Sequence, residues 1–429
     1  MVTAARDSVF RMGPQRYKTL YYFTESYPYG LSEQWKRNEL EVFRKHFEKV
    51  VVVPRWFGGN EKARNLVEGV EYLEPLFTKR EHRSALEKVR ILLSAGLRSE
   101  FVSELIRSRS FASAARANDL MRFAYHAGLL LNSAAYRSIL ASRADPTAVF
   151  YFFWGLGSVD SIPFLDGFNA LKVCRFHRWD LYAELHPTGH IPFQTKLFQA
   201  LDLALPCSDH GADYLRAKFP FARQKIHTAR LGTLSRGRSP VVDHGSLRLL
   251  SCSLVTRVKR LDRLTSALAR VTFPVCWTHI GDGDQMTALK EQAASLPGNI
   301  SVHFIGHLPS EAVLDNLATH PFDLFINVSD SEGVPVSIME AFSAGIPVCA
   351  TAVGGTPEIV DDTVGRLLTA DASPDEIAGA LTAFHELTAD KKRQLRVSAF
   401  SRYKARCNAL TNAERLAELI TNSRVGGTR

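Results

Sequence analysis

The feature that most constrains this chain is an alternation of short apolar runs with amphipathic helical patterns, in two successive series. The first series predicts strands at 18–23, 50–54, 148–153, 171–175, 203–206 and 226–230, with a helix at about 32–46. The second predicts strands at 247–253, 275–280, 300–305, 322–328 and 347–350, with helices at 261–271, 285–295, 310–318, 336–344, 374–387 and 391–420. Short apolar runs between helical patterns are typical of parallel sheets covered on both faces.

This pattern predicts an α/β protein with two Rossmann-like parallel-sheet domains facing a cleft. A length of 429 residues fits two to three domains of ordinary size. A polar stretch rich in Gly, Pro and Ser predicts a linker at 236–246, between an N-terminal domain at 1–235 and a C-terminal domain at 247–405. Residues 406–429 are expected to form a C-terminal helix that packs back on the N-terminal domain.

A helical insertion is predicted at about 77–147, where apolar residues recur at three- and four-residue steps. The stripe consists of Leu86, Val89, Leu93, Leu97, Phe101 and Leu105, and basic residues are interspersed at Arg83, Lys88, Arg90, Arg98, Arg107, Arg109 and Arg116. Such a helix either lies on an anionic membrane surface or packs its apolar stripe on the sheet with its charges in water. Both interpretations remain open from the sequence.

The net positive charge of the chain is confined to residues 1–240. Residues 1–240 carry 35 basic and 23 acidic side chains, whereas residues 241–429 carry 18 and 21. A basic nucleic-acid-binding protein is therefore one alternative, but no recognition-helix motif or basic–aromatic repeat accompanies the charge. An anionic inner-membrane surface is the partner that we expect for this half.

Targeting and metal-binding signals are weak. No apolar core of a secretory signal precedes Lys18, and the longest apolar run, at 149–156, is too short to span a bilayer. We therefore expect a cytoplasmic protein, soluble or peripheral on the inner membrane. The six cysteines are scattered without Cys-x-x-Cys spacing, which favours buried thiols and predicts no metal site.

The strongest candidate for chemistry is the loop that follows the predicted strand at 322–328. Pro335 is expected at the first helical position, so that the free amides of Val336, Ser337 and Ile338 form an anion site at the helix start. Glu332 and Glu340 lie eight positions apart and are able to grip two ends of one ligand. Alternatively, Glu332 complements the helix dipole and Glu340 pairs with a neighbouring arginine.

Several segments resemble a known family. EGVPVSIMEAFSAGIPVCATAVGGTPEIV, which begins at Glu332, resembles the E-x7-E region of retaining, nucleotide-sugar-dependent glycosyltransferases of the GT-B fold, of the family 4-like type that builds bacterial surface polysaccharides. The segments HIGDG at 279–283, FIGHL at 304–308, RFHRWDLY at 175–182, RLG at 230–232 and YPYGLSE at 27–33 resemble other parts of the same family.

The resemblance implies roles for individual residues. Glu340 would bind the nucleotide ribose, Glu332 the donor sugar and Lys259 the diphosphate, while His177 would lie beside the reacting sugar unless it is a satisfied core histidine. The family arginine a few residues before Lys259 aligns with Leu254, so Arg257 is the candidate to replace its charge. The other expected contacts with the donor are Gly30, Gly281, Gly283, Ile305, Gly333, Val334, Pro335, Val336 and Ser337.

The resemblance also implies an activity. A hexose would be transferred, with retention and without a metal or other cofactor, from a nucleoside-diphosphate sugar to a hydroxyl of a saccharide or lipid-linked acceptor. A UDP-sugar is favoured over GDP-mannose. A nucleotide-sugar 2-epimerase and a phosphorylase share the expected architecture and are the enzymatic alternatives, because a fold does not determine a reaction.

Overall fold

The computed structural model describes residues 17–30, 33–59, 62–78, 84–96, 98–242 and 245–425. Several predicted features lie outside these ranges: the N-terminal segment 1–16, the predicted helix start at 32, Arg83 and Leu97 of the insertion, part of the linker at 243–244, and the last four residues.

The N-terminal half is built on a six-stranded sheet in which all strands are parallel. Its elements are β1 Thr19–Thr24, α1 Arg37–His46, β2 Lys49–Pro54, β3 Trp56–Phe57, β4 Glu71–Tyr72, β5 Phe77–Thr78, α2 Ala85–Gly96, α3 Ser99–Arg107, α4 Ala114–Asn132, α5 Ala134–Leu140, β6 Ala148–Phe152, β7 Leu171–Phe176, α6 Gln194–Ala200, β8 Leu203–Pro206 and α7 Asp209–Lys218. The strand order is β4-β2-β1-β6-β7-β8, and β3 pairs separately with β5.

The C-terminal half repeats this plan with a second parallel sheet. Its elements are β9 Leu247–Cys252, α8 Leu261–Leu268, β10 Val275–Ile280, α9 Met286–Ala294, β11 Ile300–Gly306, α10 Ser310–Thr319, β12 Leu324–Asn327, α11 Val336–Ser343, β13 Val348–Thr351, β14 Gly365–Leu368, α12 Pro374–His385, α13 Ala389–Arg402 and α14 Ala409–Asn422. The strand order is β11-β10-β9-β12-β13-β14. The prediction of two Rossmann-like parallel-sheet domains is confirmed.

Burial explains why these runs form inner strands. All five residues of β6 and all six of β7 are buried, so both faces of the sheet are covered by helices or loops. The strand order reverses between β1 and β6 in one sheet and between β9 and β12 in the other. Ligands of open parallel sheets bind at such switch points, beyond the carboxyl ends of the strands.

The predicted strand at 226–230 is wrong. The segment forms one bridge, between Ile226 and Ala204, and is not a regular strand, although the amides of His227 and Ala229 donate to carbonyl oxygens of β8 at 3.0 and 2.9 Å. At the end of the segment, Nη2 of the buried Arg175 donates to the carbonyl oxygens of Ala229 at 2.7 Å and Arg230 at 2.8 Å. The guanidinium therefore satisfies backbone groups that a neighbouring strand would otherwise pair.

The predicted helix at 391–420 is interrupted. α13 ends at Arg402, a π-helical turn follows at Tyr403–Cys407, and Asn408 caps α14 through its side chain. Thr233 causes the break, because its amide donates to the Cys407 carbonyl at 2.9 Å and its own carbonyl accepts from Ala409 at 3.0 Å. The edge strand β14 was not predicted.

The C-terminal helix lies against the N-terminal half. Glu414 of α14 contacts the ring of His46 at the end of α1, with Oε2 and Nε2 2.5 Å apart. The hydroxyl of Tyr17 donates to the carbonyl oxygen of Ser423 at 2.9 Å. Helix α14 and the residue that follows it are thus bonded to Tyr17, just before β1, and to His46, at the end of α1.

The helical insertion does not pack its whole apolar stripe. Leu86, Val89 and Leu93 are exposed, whereas Phe101 and Leu105 contact a small core that includes Leu120, Phe164 and Phe193. The prediction that the stripe packs on the sheet is therefore wrong: its first half is exposed, and Phe101 and Leu105 contact α4 and loop residues instead. In the described part of the chain, no helix combines the length and apolar character needed to cross a bilayer.

Candidate functional site

The start of α11 provides the backbone of the candidate site. Pro335 is the N-cap, with φ −64° and ψ 117°, and not the first helical residue as predicted. Its carbonyl accepts from the amide of Ile338 at 3.2 Å. The amides of Val336 and Ser337 have no acceptor among the described residues, so two N–H groups remain for an anion where three were predicted.

An ion pair lies immediately before this helix. Nζ of Lys259 is 2.7 Å from Oε1 of Glu332, and the side-chain amide of Asn327 donates to the same oxygen at 3.3 Å. Lys259 is about one-fifth exposed and Glu332 less than one-tenth. The pair joins the loop after β9 to the loop after β12, which places one cation beside the two free amides.

Glu340 is a buried carboxyl without a cationic partner. It lies on α11 and accepts a long hydrogen bond of 3.4 Å from the hydroxyl of Ser310. Burial raises the pKa of Glu340 to about 7, which the Ser310 hydrogen bond only partly opposes. The alternative in which Glu340 pairs with a neighbouring arginine is wrong: among the described residues, this carboxyl forms no ion pair. An incompletely satisfied buried acid at a switch point is typical of a ligand-binding group.

His177 approaches the same region from the N-terminal half, in the loop after β7. Its amide donates to Oδ1 of Asp180 at 2.7 Å, and Nδ1 lies 3.4 Å from Oδ2 of that carboxylate. The ring packs against Phe153 and Trp154, with centroids 4.8 and 4.3 Å away. Burial lowers the pKa of His177 despite the Asp180 contacts, and Nε2 has no partner among the described residues. A fully satisfied core histidine is therefore excluded.

The two halves meet at Gly333. A Cβ atom placed there would lie 3.8 Å from the His177 carbonyl oxygen and 3.6 Å from Cβ of Arg178. Nε of Arg178 donates to Oγ of Ser331 at 2.9 Å across the same junction. The loop that contains Glu332 is thus in contact with the loop that contains His177, while Val334 is buried beside them.

A second junction between the two halves involves Glu358, for which the sequence predicted no role. The carboxylate of Glu358 accepts from the amides of Asp209 at 2.9 Å and His210 at 2.8 Å, at the start of α7. Arg230 lies 3.2 Å from the same carboxylate. Glu358 therefore bonds the C-terminal half to the start of α7 in the N-terminal half. No local sequence pattern predicts this role.

The loop after β1 is organised by a buried carboxylate that the sequence reasoning also missed. Oε2 of Glu33 accepts from the amides of Ser26 at 2.6 Å and Tyr27 at 2.8 Å, and Oε1 accepts from Nε1 of Trp154 at 2.6 Å. Burial alone would raise the pKa of Glu33, but the charge and hydrogen bond of Lys36, with these donors, lower it to about 2. Gly30 ends this loop with φ 71°, a conformation that favours glycine.

The other residues that were predicted to contact the donor have different surroundings. A Cβ at Gly281 would lie 1.8 Å from the Ser253 carbonyl oxygen, and one at Gly283 would lie 2.4 Å from that of Val255, so backbone packing requires both glycines. Ile305 is 45% exposed on β11. Arg257 is exposed and lines a separate cavity of about 620 Å³, which neither Lys259 nor Glu332 lines. Leu254 is exposed as well.

No metal site is assembled by the described residues. No group of three or more His, Cys, Asp or Glu side chains with metal-ligating geometry occurs in the part of the chain that the structure describes. Lys259 and the two free amides of α11 are features that the described site offers to an anionic ligand.

Comparison with known proteins links this site to one family. Residues 238–402 match the family model of glycosyl transferases group 1. These residues contain β9 to α13, and with them Lys259, Glu332 and Glu340. The match thus includes all residues of the candidate site that lie in the C-terminal half, while the loop of His177 lies outside it.

Curated relatives match part of the chain. It is 29% identical over 236 residues to the putative colanic acid biosynthesis glycosyltransferase WcaL of Escherichia coli strain K12, covering 50% of this chain and 55% of WcaL. It is 30% identical over 271 residues to the amylovoran biosynthesis glycosyltransferase AmsK of Erwinia amylovora, covering 59% of this chain and 65% of AmsK. The chain therefore spans roughly half to two-thirds of the length of these two relatives.

Solved structures show the same fold over nearly the whole chain. Anabaena HepE in complex with UDP and glucose superposes with a TM-score of 0.58 at 17% identity, covering 94% of this chain and 99% of HepE. Sucrose-phosphate synthase from Thermosynechococcus elongatus superposes with a TM-score of 0.68 at 14% identity, covering 94% and 98%.

Proposed function

We propose that this protein, whose residues 238–402 match the group 1 glycosyltransferases, transfers a hexose from a nucleoside-diphosphate sugar to a saccharide or lipid-linked hydroxyl in bacterial surface polysaccharide synthesis. The observation that carries the proposal is the junction at Gly333, where the Glu332–Lys259 pair and the free amides of α11 meet the loop of His177. A diphosphate at the amides would place an attached sugar between the two halves.

The donor roles follow from charge and burial. A diphosphate would bind the amides of Val336 and Ser337 and draw Lys259 from Glu332, which would free this carboxylate for sugar hydroxyls. Glu340, buried and weakly bonded, would accept hydrogen bonds from the ribose hydroxyls. Each residue would thus exchange a contact within the protein for a contact with the ligand.

The proposed chemistry is displacement with retention of configuration. The main barrier is the negative charge that develops on the leaving diphosphate, and preorganised amides and Lys259 stabilise that charge without a metal. No second carboxylate is assigned as a covalent nucleophile, so the leaving phosphate takes the acceptor proton on the front face. The contact between the two halves excludes water, which would otherwise hydrolyse the donor.

Nucleotide binding is the first test of the proposal. Because HepE was crystallised with UDP and glucose, uridine nucleotides are the first probes, and GDP is the comparison. We expect UDP to raise the melting temperature of the full chain, since a ligand that binds only the native state stabilises it. Absence of a shift with UDP, GDP and dTDP alike would refute the donor assignment.

Product analysis separates transfer from the enzymatic alternatives. A transferase releases nucleoside diphosphate in proportion to glycoside formed, and only with acceptor present. A 2-epimerase would change the sugar's configuration without needing an acceptor, and a phosphorylase would need inorganic phosphate. NMR of UDP-hexose incubated with a lipid or membrane extract as acceptor source distinguishes these outcomes.

We further propose that the insertion docks on an anionic membrane, where a lipid-linked acceptor would be held. Seven of the eighteen exposed large apolar side chains of the described residues lie between positions 86 and 121: Leu86, Val89, Leu93, Val102, Ile106, Phe111 and Met121. Basic residues alternate with them along α2 to α4. Apolar side chains flanked by cations are typical of helices that bind anionic lipid surfaces.

Vesicle flotation tests this docking with a matched control. The triple variant Leu86→Gln, Val89→Gln, Leu93→Gln should lose binding to vesicles of phosphatidylcholine with phosphatidylglycerol, while the wild type floats with them at low salt. The control is the double variant Val397→Gln, Leu410→Gln, which alters similarly exposed apolar residues of α13 and α14. Failure of the wild type to float would remove the membrane proposal and leave the transferase proposal intact.

A further inference from the structure

A pocket of about 210 Å³ in the N-terminal half is not used by the donor assignment. It lies beyond the carboxyl ends of β2, β6 and β7, and α4 of the helical insertion covers it. Arg55, Asp160 and Trp179 line it from the loops, and Arg122 and His126 line it from α4. Its volume is below the roughly 300–1,000 Å³ of pockets for drug-sized ligands and suits a single monosaccharide ring.

The pocket lies next to His177 along one bonded loop. The carboxylate of Asp180 accepts from the amide of His177 and, through Oδ2, from that of Gly155 at 2.7 Å. The loop then continues from Gly155 into the pocket wall at Asp160. The lining residues Gly157 and Trp179 thus belong to the same two loops as Gly155 and His177, which Asp180 bonds together.

Trp179 provides an aromatic surface that is not buried in the protein core. Its side chain is 53% exposed, although it lines a pocket. His186 holds it in place, with ring centroids 4.4 Å apart and Nε2 2.7 Å from the Trp179 carbonyl oxygen. An exposed, fixed indole offers a flat apolar surface against which the C–H face of a sugar ring packs.

Two buried polar groups leave hydrogen-bonding capacity in the pocket. Nε of Arg55 is buried and has no partner among the described residues, although its two other nitrogens contact Glu25 at 2.9 Å and His126 at 3.2 Å. Asp160 is 5% exposed and accepts from the Gly157 amide at 2.9 Å. Buried groups of this kind normally find partners, and sugar hydroxyls both donate and accept.

Charge balance indicates which kind of sugar fits. Arg55 is paired with Glu25, and Arg122 lies 3.3 Å from Asp119. Burial and the charge of Arg55 lower the pKa of His126 to about 4, so this ring is neutral near pH 7. Burial raises the pKa of Asp160 to about 7, so this carboxyl is itself only partly charged near neutral pH. A phosphate or uronate would therefore meet no unpaired arginine here, which disfavours an anion.

We propose that this pocket is a subsite for one uncharged pyranose ring of the acceptor saccharide, stacked on Trp179 and hydrogen-bonded by Asp160 and Arg55. The inference rests on the proposed function, because the ring is an acceptor only if a donor binds at α11. It also assigns a role to the helical insertion, since α4 contributes Arg122, Phe123 and His126 to the pocket. Replacement of α4 residues should then change which acceptor is used.

Saturation-transfer NMR of the full chain tests the pocket with defined probes. These are the methyl α- and β-pyranosides of glucose, galactose and mannose, with methyl glucuronide as the anionic comparison. Trp179→Ala should weaken binding of at least one neutral glycoside about tenfold, as expected from loss of a stacking contact. Phe221→Ala removes an equally exposed aromatic side chain that lies outside the pocket and should leave binding unchanged.

Calorimetry with UDP on the same samples separates the two proposals. Trp179→Ala should bind UDP with wild-type affinity. If the wild type binds UDP but no neutral glycoside shows a Trp179-dependent signal, or if methyl glucuronide binds more tightly than every neutral probe, the subsite proposal is overturned and the donor proposal stands. If glycosides bind at Trp179 but no nucleotide binds, the acceptor role is overturned together with the donor proposal.

Discussion

Replacement of Glu340 by Gln should stabilise the protein at alkaline pH while weakening its binding of nucleotide. The carboxyl is 7% exposed, and the hydrogen bond that it accepts from Ser310 is 3.4 Å long. Burial raises its pKa from the model-peptide value of 4.5 to about 7. Between these two values the folded protein binds a proton that the unfolded chain does not, so stability is lost as the pH rises through about 7.

The size of the effect follows from the shift. A difference of about 2.5 pKa units, at 1.36 kcal/mol for each unit, makes ionised Glu340 cost about 3 kcal/mol above pH 7 and almost nothing below pH 4.5. Glutamine has a similar shape and no charge, so it escapes this cost. The expected gain in stability for Glu340→Gln is therefore about 3 kcal/mol at pH 8 and close to zero at pH 4.5.

Denaturant unfolding at pH 5 and pH 8 measures this difference. Glu311→Gln is the matched control, because Glu311 is an exposed acid on α10, next to Ser310. It should change stability equally and only slightly at both pH values. Equal stability of the wild type and Glu340→Gln at pH 8, or the same gain at both pH values, would refute the assignment of a buried, ionised carboxyl.

Further predictions concern the other site residues. Lys259→Ala should weaken UDP binding about tenfold or more, as expected for a lost charged hydrogen bond, whereas Lys290→Ala on α9 should not. Unchanged UDP affinity in Lys259→Ala would remove this lysine from the diphosphate site. Asp180→Asn should lower turnover of UDP-hexose about tenfold, because it loosens His177, while UDP affinity stays the same. A Kd for UDP that rises in parallel with the loss of turnover would instead show a general loss of the fold at this loop.

Local patterns carry most of the fold. The run VVVVP of β2 is apolar and buried throughout because both faces of the sheet are covered, and Ser373 and Pro374 mark the start of α12. The surroundings of the segment at 226–230 depend on residues that are distant in the sequence. Arg175 lies more than fifty positions earlier and binds the carbonyls that a strand would have paired. No property of the segment itself reveals such a partner.

The part of the candidate site that lies within one segment of the chain was predictable from the sequence. The loop and helix start at 332–340 were evident from Pro335 and the spaced acids, whereas the pairing of Glu332 with Lys259 joins residues 73 positions apart. The roles of Glu33 and Glu358 depend on the backbone amides that their carboxylates bind. The identity of a glutamate in the sequence does not show which amides it will bind. The spacing also cannot show that Gly281 and Gly283 are required by neighbouring backbone.

A crystal structure of the full chain with UDP tests the central claim most directly. The account predicts diphosphate oxygens within hydrogen-bonding distance, about 3 Å, of the Val336 and Ser337 amides. It also predicts Nζ of Lys259 on the diphosphate and the ribose hydroxyls on Glu340. A diphosphate bound elsewhere, with the Glu332–Lys259 pair intact and the start of α11 unoccupied, would contradict it.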